Sequence, residues 1–472
     1  MASSTRTNAM YNIAYRMFSV LLPLVTAPYL SRTVGPEGVG LYSRAWNISY
    51  IFCLAAMLGL NDYGVRAIAR VRDDREELNR TFSAVWQMQV MVAGAVLLLW
   101  FGYVFLFAGE EKEVSLHLTL MSVSCLVSFD WCLMGLDLFR PIALRNTFVK
   151  TAGAVCVFLF VKGPEDLWIY ALVWSLSTLL GNLSCLSSLR GRVTYFRVPL
   201  RNSLRHLRPC ALLFISVIAV SIYRTMDKVM VSWIAGLEQN GQYENAEKII
   251  YCLSGFISAI GTVMMPKISH MQKQGKTAEI LKHIDKSMNL ILCMVCAMAF
   301  GVAGVADRFS PLFYGEEFTC AGRLMAPLAF SLIMIGFANV IRTQWVLPQG
   351  KDTVFVRSVC AGAAVNLAAN LVLIPGLRAM GAVIGTLMAE FTVPLVQFLL
   401  LRKELFYRKY LVYTGIYCLI GTVMLVCVRI SGNLIPWRGW AGLAAQVAVG
   451  MTVYGALTLG YWRAAGFHVT GR

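Results

Sequence analysis

The sequence predicts an all-α polytopic membrane protein of about 14 transmembrane helices: two six-helix lobes related by a pseudo-twofold along the membrane normal, plus two appended helices. Three observations lead there. Of 472 residues, 58% are hydrophobic and only 14% charged, where a soluble domain carries about 25%. Apolar stretches of about 20 to 28 residues follow one another along the chain, each long enough to cross a hydrocarbon core about 30 Å thick. One loop motif also occurs twice. VGPEGVGLYSRAWNI (34–48) and AGLEQNGQYENAEKI (235–249) agree at six of fifteen positions: Gly35/Gly236, Glu37/Glu238, Gly40/Gly241, Tyr42/Tyr243, Ala45/Ala246 and Ile48/Ile249. Both copies link a first apolar segment to a second, as in a duplicated half-protein.

The first lobe, residues 1–208, holds segments near 9–31, 41–65, 81–108, 114–137, 142–162 and 166–189. The second, 209–406, holds 209–235, 243–268, 286–307, 320–346, 353–375 and 379–401, with a tight turn expected at Pro375-Gly376. Residues 407–472 add 409–429 and 438–462. Alternate loops are rich in lysine and arginine. The longest, Arg190 to Arg208, joins the lobes and contains Arg190, Arg192, Arg197, Arg201, Arg205 and Arg208. Basic residues accumulate on the cytoplasmic side, which puts both termini inside. The polar start, MASSTRTNAM, precedes a full-length span and reads as no cleaved signal. Pro23, Pro28, Pro266, Pro327, Pro348 and Pro394 fall within spans, where each removes a helix hydrogen bond and permits a kink.

Several function classes are excluded. The net charge of +17 punctuates apolar spans and forms no basic domain for nucleic acid. Thirteen cysteines lie singly, nearly all in apolar segments, and behave as small hydrophobes. Cys293 and Cys296 form a lone CxxC without a second pair, so neither metal nor cofactor is expected. No phosphate-binding lysine loop, HExxH or GxSxG is present, and the longest outer loop, near Asp307 to Cys320, leaves little room for an enzyme's catalytic residues.

Ionisable residues inside the spans mark the candidate site, because charge at membrane depth must face a packed bundle or a wet cavity. Counted from Ala211 in the seventh segment, Arg224 lies about 13 residues along the helix, or roughly 20 Å. Asp227 and Lys228 share its face at spacings of three and four. Asp227 is able to neutralise Arg224, which leaves Lys228 as surplus positive charge; the bland alternative is a structural ion pair. Arg16, Lys150 and Arg342 sit one to two turns in from the cytoplasmic face, and Arg44 lies near the outer surface, where it is able to snorkel. Together these six cations fit a cavity for an anion, with phosphate or pyrophosphate the natural match. Asp62, Asp130, Asp227 and Glu390 are candidates for coupling or for balancing charge.

The stretches PLVTAPYLSRTVGPEGVGLYS and LGLNDYGVRAIARVRDD, with SIYRTMDKVMV, GQYENAEKI, VMMPKIS, RTQWVLPQGKD and GAVIGTLMAEF in the second lobe, give the chain a resemblance. It resembles the polysaccharide-unit (Wzx-like) flippases of the multidrug/oligosaccharidyl-lipid/polysaccharide exporter superfamily. The resemblance implies a flippase working by alternating access in the bacterial cytoplasmic membrane. Its cargo would be an oligosaccharide repeat unit on undecaprenyl pyrophosphate, moved from the inner to the outer leaflet. It implies pathway partners such as a polysaccharide polymerase and glycosyltransferases; because one chain already contains both lobes, a monomer is expected. The alternatives are a cation-coupled multidrug exporter of the same superfamily, which calls for acidic rather than basic cavity residues, and a peptidoglycan lipid-precursor flippase.

Overall fold

The computed structural model describes residues 5–434 and 436–466, without the side chains of 5–21, 215–217, 219–220, 222–224 and 262–263. Among the described residues there is no strand. The helices in chain order are α1 (Thr5–Met57), α2 (Leu60–Val71), α3 (Arg75–Leu106), α4 (Lys112–Ser124), α5 (Asp130–Gly135), α6 (Phe139–Phe160), α7 (Leu167–Leu189) and α8 (Leu200–Leu204). They continue as α9 (Leu207–Ile234), α10 (Leu237–Lys273), α11 (Thr277–Tyr314), α12 (Thr319–Leu328), α13 (Ser331–Ile341), α14 (Asp352–Leu377), α15 (Ala379–Leu401), α16 (Tyr407–Leu434) and α17 (Gly439–Ala464).

Among the described residues, eleven helices are long and apolar enough to cross a membrane, or twelve with the pair Glu316–Leu328 and Ser331–Val346, bent by 45° after Pro327, counted as one span. The expected count of 14 differs in two places. Segments 9–31 and 41–65 lie on either side of the kink at Gly35, the second running on into α2, and count together as one stretch; 209–235 corresponds to α9, part of which lies outside the described side chains. The tight turn expected at Pro375-Gly376 lies slightly later. Pro375 sits inside α14, and the chain reverses at Arg378, which takes φ 53°.

The duplicated motif breaks its helices at the same place in each copy. Gly35 interrupts α1 with φ 67°, and Gly236 separates α9 from α10 with φ 96°. Only glycine adopts that backbone at little cost. Pro36 then opens the next helix in the first copy, where a missing N–H is harmless. Elsewhere the caps are local: the Asp74 carboxylate accepts from the Glu76 and Glu77 amides at 2.9 and 3.1 Å and starts α3.

By compactness the chain divides at Gly241 into Met1–Gly241 and Gln242–Arg472. In the first unit α9 packs on α1 and α2. Its core gathers Leu60 and Ile68 of α2, Phe82 and Met88 of α3, Trp131 of α5 and Cys210 of α9. In the second unit α11 is the central post, with α12, α13, α16 and α17 packed on it. The last two helices are joined to it by polar bonds as well. Lys409 pairs with Asp285 at 2.7 Å, Tyr417 donates to Asn289 at 2.7 Å, and Tyr454 donates to the Cys293 carbonyl at 2.7 Å. Outward faces stay apolar: Leu98, Leu99, Phe105 and Leu106 of α3 are all exposed, the composition a helix shows to lipid.

Candidate functional site

The predicted cations whose side chains are described differ in burial and in their immediate partners. Arg44, buried in α1, pairs with the buried Glu111 ahead of α4, whose carboxylate also accepts from the Tyr103 hydroxyl at 2.9 Å. The exposed Glu110 lies 3.6 Å from the same guanidinium. Arg44 therefore carries its own counter-charge and does not snorkel to the surface. A buried pair of this kind is costly to break from one side.

Asp130 opens α5 and lies 3.1 Å from Arg145 of α6, which also meets the Cys185 sulfur. Fifteen residues and a turn separate the two, so no helical spacing announced the pair.

Lys150 is half-buried on α6, and Lys228 is half-buried on α9 beside the buried Asp227. Asp62 is exposed in the first turn of α2. In the second unit, Glu390 is half-buried on α15 and Arg342 is half-buried at the start of a π-helical turn, Arg342–Val346. The Arg342 guanidinium stands 5.4 Å from the centre of the Phe355 ring, a cation–π arrangement. Such turns are rare and cluster at functional sites. The side chains of Arg16 and Arg224 lie outside the described residues.

The long basic linker is fixed in a way the sequence did not announce. Residues 193–199 run extended along α3. The amides of Thr194, Phe196 and Val198 donate to the side-chain oxygens of Asn79, Ser83 and Gln87, at 2.8, 3.1 and 3.4 Å. Alternate amides of an extended strand point the same way, and every fourth residue of a helix lies on one face, so the two repeats mesh. At the far end of the linker the Tyr63 hydroxyl bonds His206 Nδ1 at 2.6 Å. Burial, then the neighbouring Arg205, pulls His206 below its ordinary value of 6.5. A neutral imidazole is able to accept the hydrogen bond that the tyrosine hydroxyl donates.

Two family profiles match this chain. "Polysaccharide biosynthesis protein" covers residues 5–272, and "Lipid II flippase MurJ" covers residues 202–443. A protein assigned to O-antigen transport in Shigella dysenteriae is 23% identical over 384 residues, 79% of this chain and 94% of that protein. A counterpart with the same assignment in Escherichia coli is 23% identical over 416 residues, 85% of this chain and 97% of that one. In three dimensions the chain is similar to a lipid II flippase MurJ in an inward closed conformation, with a TM-score of 0.78, 15% identity, and coverage of 98% of this chain and 100% of that one. At that identity the likeness shows the fold.

Proposed function

Because the chain belongs to the polysaccharide biosynthesis protein family, we propose that it is a flippase for lipid-linked oligosaccharides, a transporter and not an enzyme. The observation that carries this reading is the near-complete span of the O-antigen transport relatives, 94% and 97% of their lengths, by an all-helical membrane chain. The finer reading is our own. The cargo is an undecaprenyl-pyrophosphate-linked repeat unit passed from the inner to the outer leaflet of the bacterial cytoplasmic membrane. Both termini face the cytoplasm, the chain works as a monomer, and a polymerase and glycosyltransferases act in the same pathway.

Topologically the chain groups as 1–208, 209–406 and 407–472, and the duplicated motif supports alternating access between two repeats. The barrier to flipping is stripping water from a charged, sugar-bearing headgroup. Fixed cations and hydrogen-bond donors lower it by replacing that water. Lys228, Arg224, Arg16, Arg342 and Lys150 are the proposed anion contacts. Arg44 and Asp130, paired with Glu111 and Arg145, hold structure instead. Asp62, Asp227 and Glu390 stay candidates for coupling or charge balance.

The test is a reconstituted vesicle assay with labelled lipid-linked oligosaccharide. Protein-dependent appearance of label on the far leaflet is expected; uptake of cationic dyes without lipid flipping would overturn the reading in favour of a drug exporter. The MurJ-type match over 202–443 favours one second reading, a peptidoglycan precursor as cargo, and the same assay run with that precursor separates the two.

A further inference from the structure

We propose that the groove between the linker segment 193–199 and α3 is a binding site for an anionic phospholipid, with Arg197 on its phosphate. The groove encloses about 640 Å³, and its walls include Trp86, Val90, Met91, Tyr195, Arg197 and Leu200. That volume falls in the range of small-molecule sites and accommodates a phosphate with the first part of an acyl chain.

The walls combine the chemistries that a lipid carries. Arg197 is exposed, and no ion pair to it forms among the described residues. Trp86 and Tyr195 meet edge to face with centroids 4.8 Å apart, the residue types that settle at headgroup level. The indole is held in place, since its Nε1 donates to the Leu126 carbonyl at 3.0 Å. In the same lining Val90 is 41% exposed and Leu200 52% exposed, apolar surface suited to acyl chains.

Charge selects the lipid. Six arginines lie between Arg190 and Arg208, and no aspartate or glutamate follows until Asp227. Basic clusters beside a span attract anionic headgroups, and the fork of Arg197 is suited to a phosphate diester. The amide ladder from Asn79, Ser83 and Gln87 presents Arg197 in a fixed place, so the site is preformed. None of these residues belongs to the proposed transport contacts, and the inference does not depend on the cargo.

The experiment uses the purified full chain and native mass spectrometry with phosphatidylglycerol, phosphatidylcholine, farnesyl diphosphate and inorganic phosphate as probes. Phosphatidylglycerol is expected to bind at least about 5-fold more tightly than phosphatidylcholine. Arg197→Ala should erase that preference and Arg197→Lys should keep most of it, with unchanged thermal melting as the control for folding. Arg201→Ala, which removes the same charge outside the groove, should change binding less than about 2-fold. Equal binding of the two phospholipids overturns the proposal. So does an equal loss in Arg201→Ala, which would mean a diffuse basic surface. Displacement of the lipid by millimolar phosphate would show an anion site without an apolar half, and a preference for farnesyl diphosphate would assign the groove to the cargo; either result also overturns it.

Discussion

Gly40 and Gly241, equivalent positions of the duplicated motif, cross so closely that a β-carbon on either would strike the other's segment. At Gly40 it would overlap the Leu237 carbonyl, and at Gly241 the Pro36 carbonyl; Leu237 and Pro36 are themselves equivalent. The Asn240 amide seals the crossing by donating to the Gly40 carbonyl at 2.9 Å. Gly40→Ala and Gly241→Ala should therefore each destabilise the protein by about 1–3 kcal/mol, the usual cost of overpacking. Gly94→Ala, where a β-carbon meets nothing, should be neutral or slightly stabilising. Thermal melting in detergent compares the three; equal melting of Gly40→Ala and Gly94→Ala would count against the crossing.

Glu111→Gln should cost about 3 kcal/mol, because it strands the buried Arg44 charge. Replacing both residues by leucine should recover most of the loss. A double-mutant cycle on melting temperature reads the coupling, and additive effects would mean the two residues act separately.

Lys228→Ala should lower oligosaccharide flipping about 10-fold or more, since a hydrogen bond to a charged group is worth roughly 1.5–3 kcal/mol. Melting should change little, as Lys228 is only half-buried. Unchanged flipping would remove it from the anion contacts.

Acidification should weaken the Tyr63–His206 contact. The folded protein holds His206 below its ordinary value of 6.5. The unfolded chain therefore takes up the proton first, and His206's contribution, complete above about 6.5, is lost as pH falls through the lower folded value. Between pH 7.5 and 5 the parent protein should lose more melting temperature than His206→Gln. Parallel curves for the two proteins would show that His206 is not the sensor.

Replacing Asn79, Ser83 and Gln87 together by alanine should free the linker. Three hydrogen bonds of about 0.5–1.5 kcal/mol each hold it, so trypsin should cut at Arg192 and Arg197 at least about 10-fold faster in the triple variant. Equal cleavage rates would mean the strand is held by other contacts.

What the sequence made legible was whatever repeats locally. Apolar runs foretold the helices, and the motif copies foretold two equivalent links between spans, where the breaks at Gly35 and Gly236 lie. What it left hidden was pairing between distant positions. Arg44 and Glu111 are 67 residues apart, and Lys409 and Asp285 are 124 apart. Depth and spacing alone cannot tell a cation waiting for a ligand from one already neutralised. The linker was legible as a run of arginines, but its fit to α3 was not, because asparagine, serine and glutamine at intervals of four carry no apolar signal.

That fit works as a vernier. Two extended residues advance about 6.6 Å, four helical residues about 6.0 Å, and the mismatch accumulates. The bonds stretch in step, 2.8, then 3.1, then 3.4 Å. A fourth rung would fall out of reach, and the helix offers Met91 there, with no oxygen to accept. The two scales drift apart where the groove opens, so the length of the strap is fixed by arithmetic between two geometries. Adding or deleting one linker residue would turn the amides away from their acceptors and swing Arg197 to the opposite side.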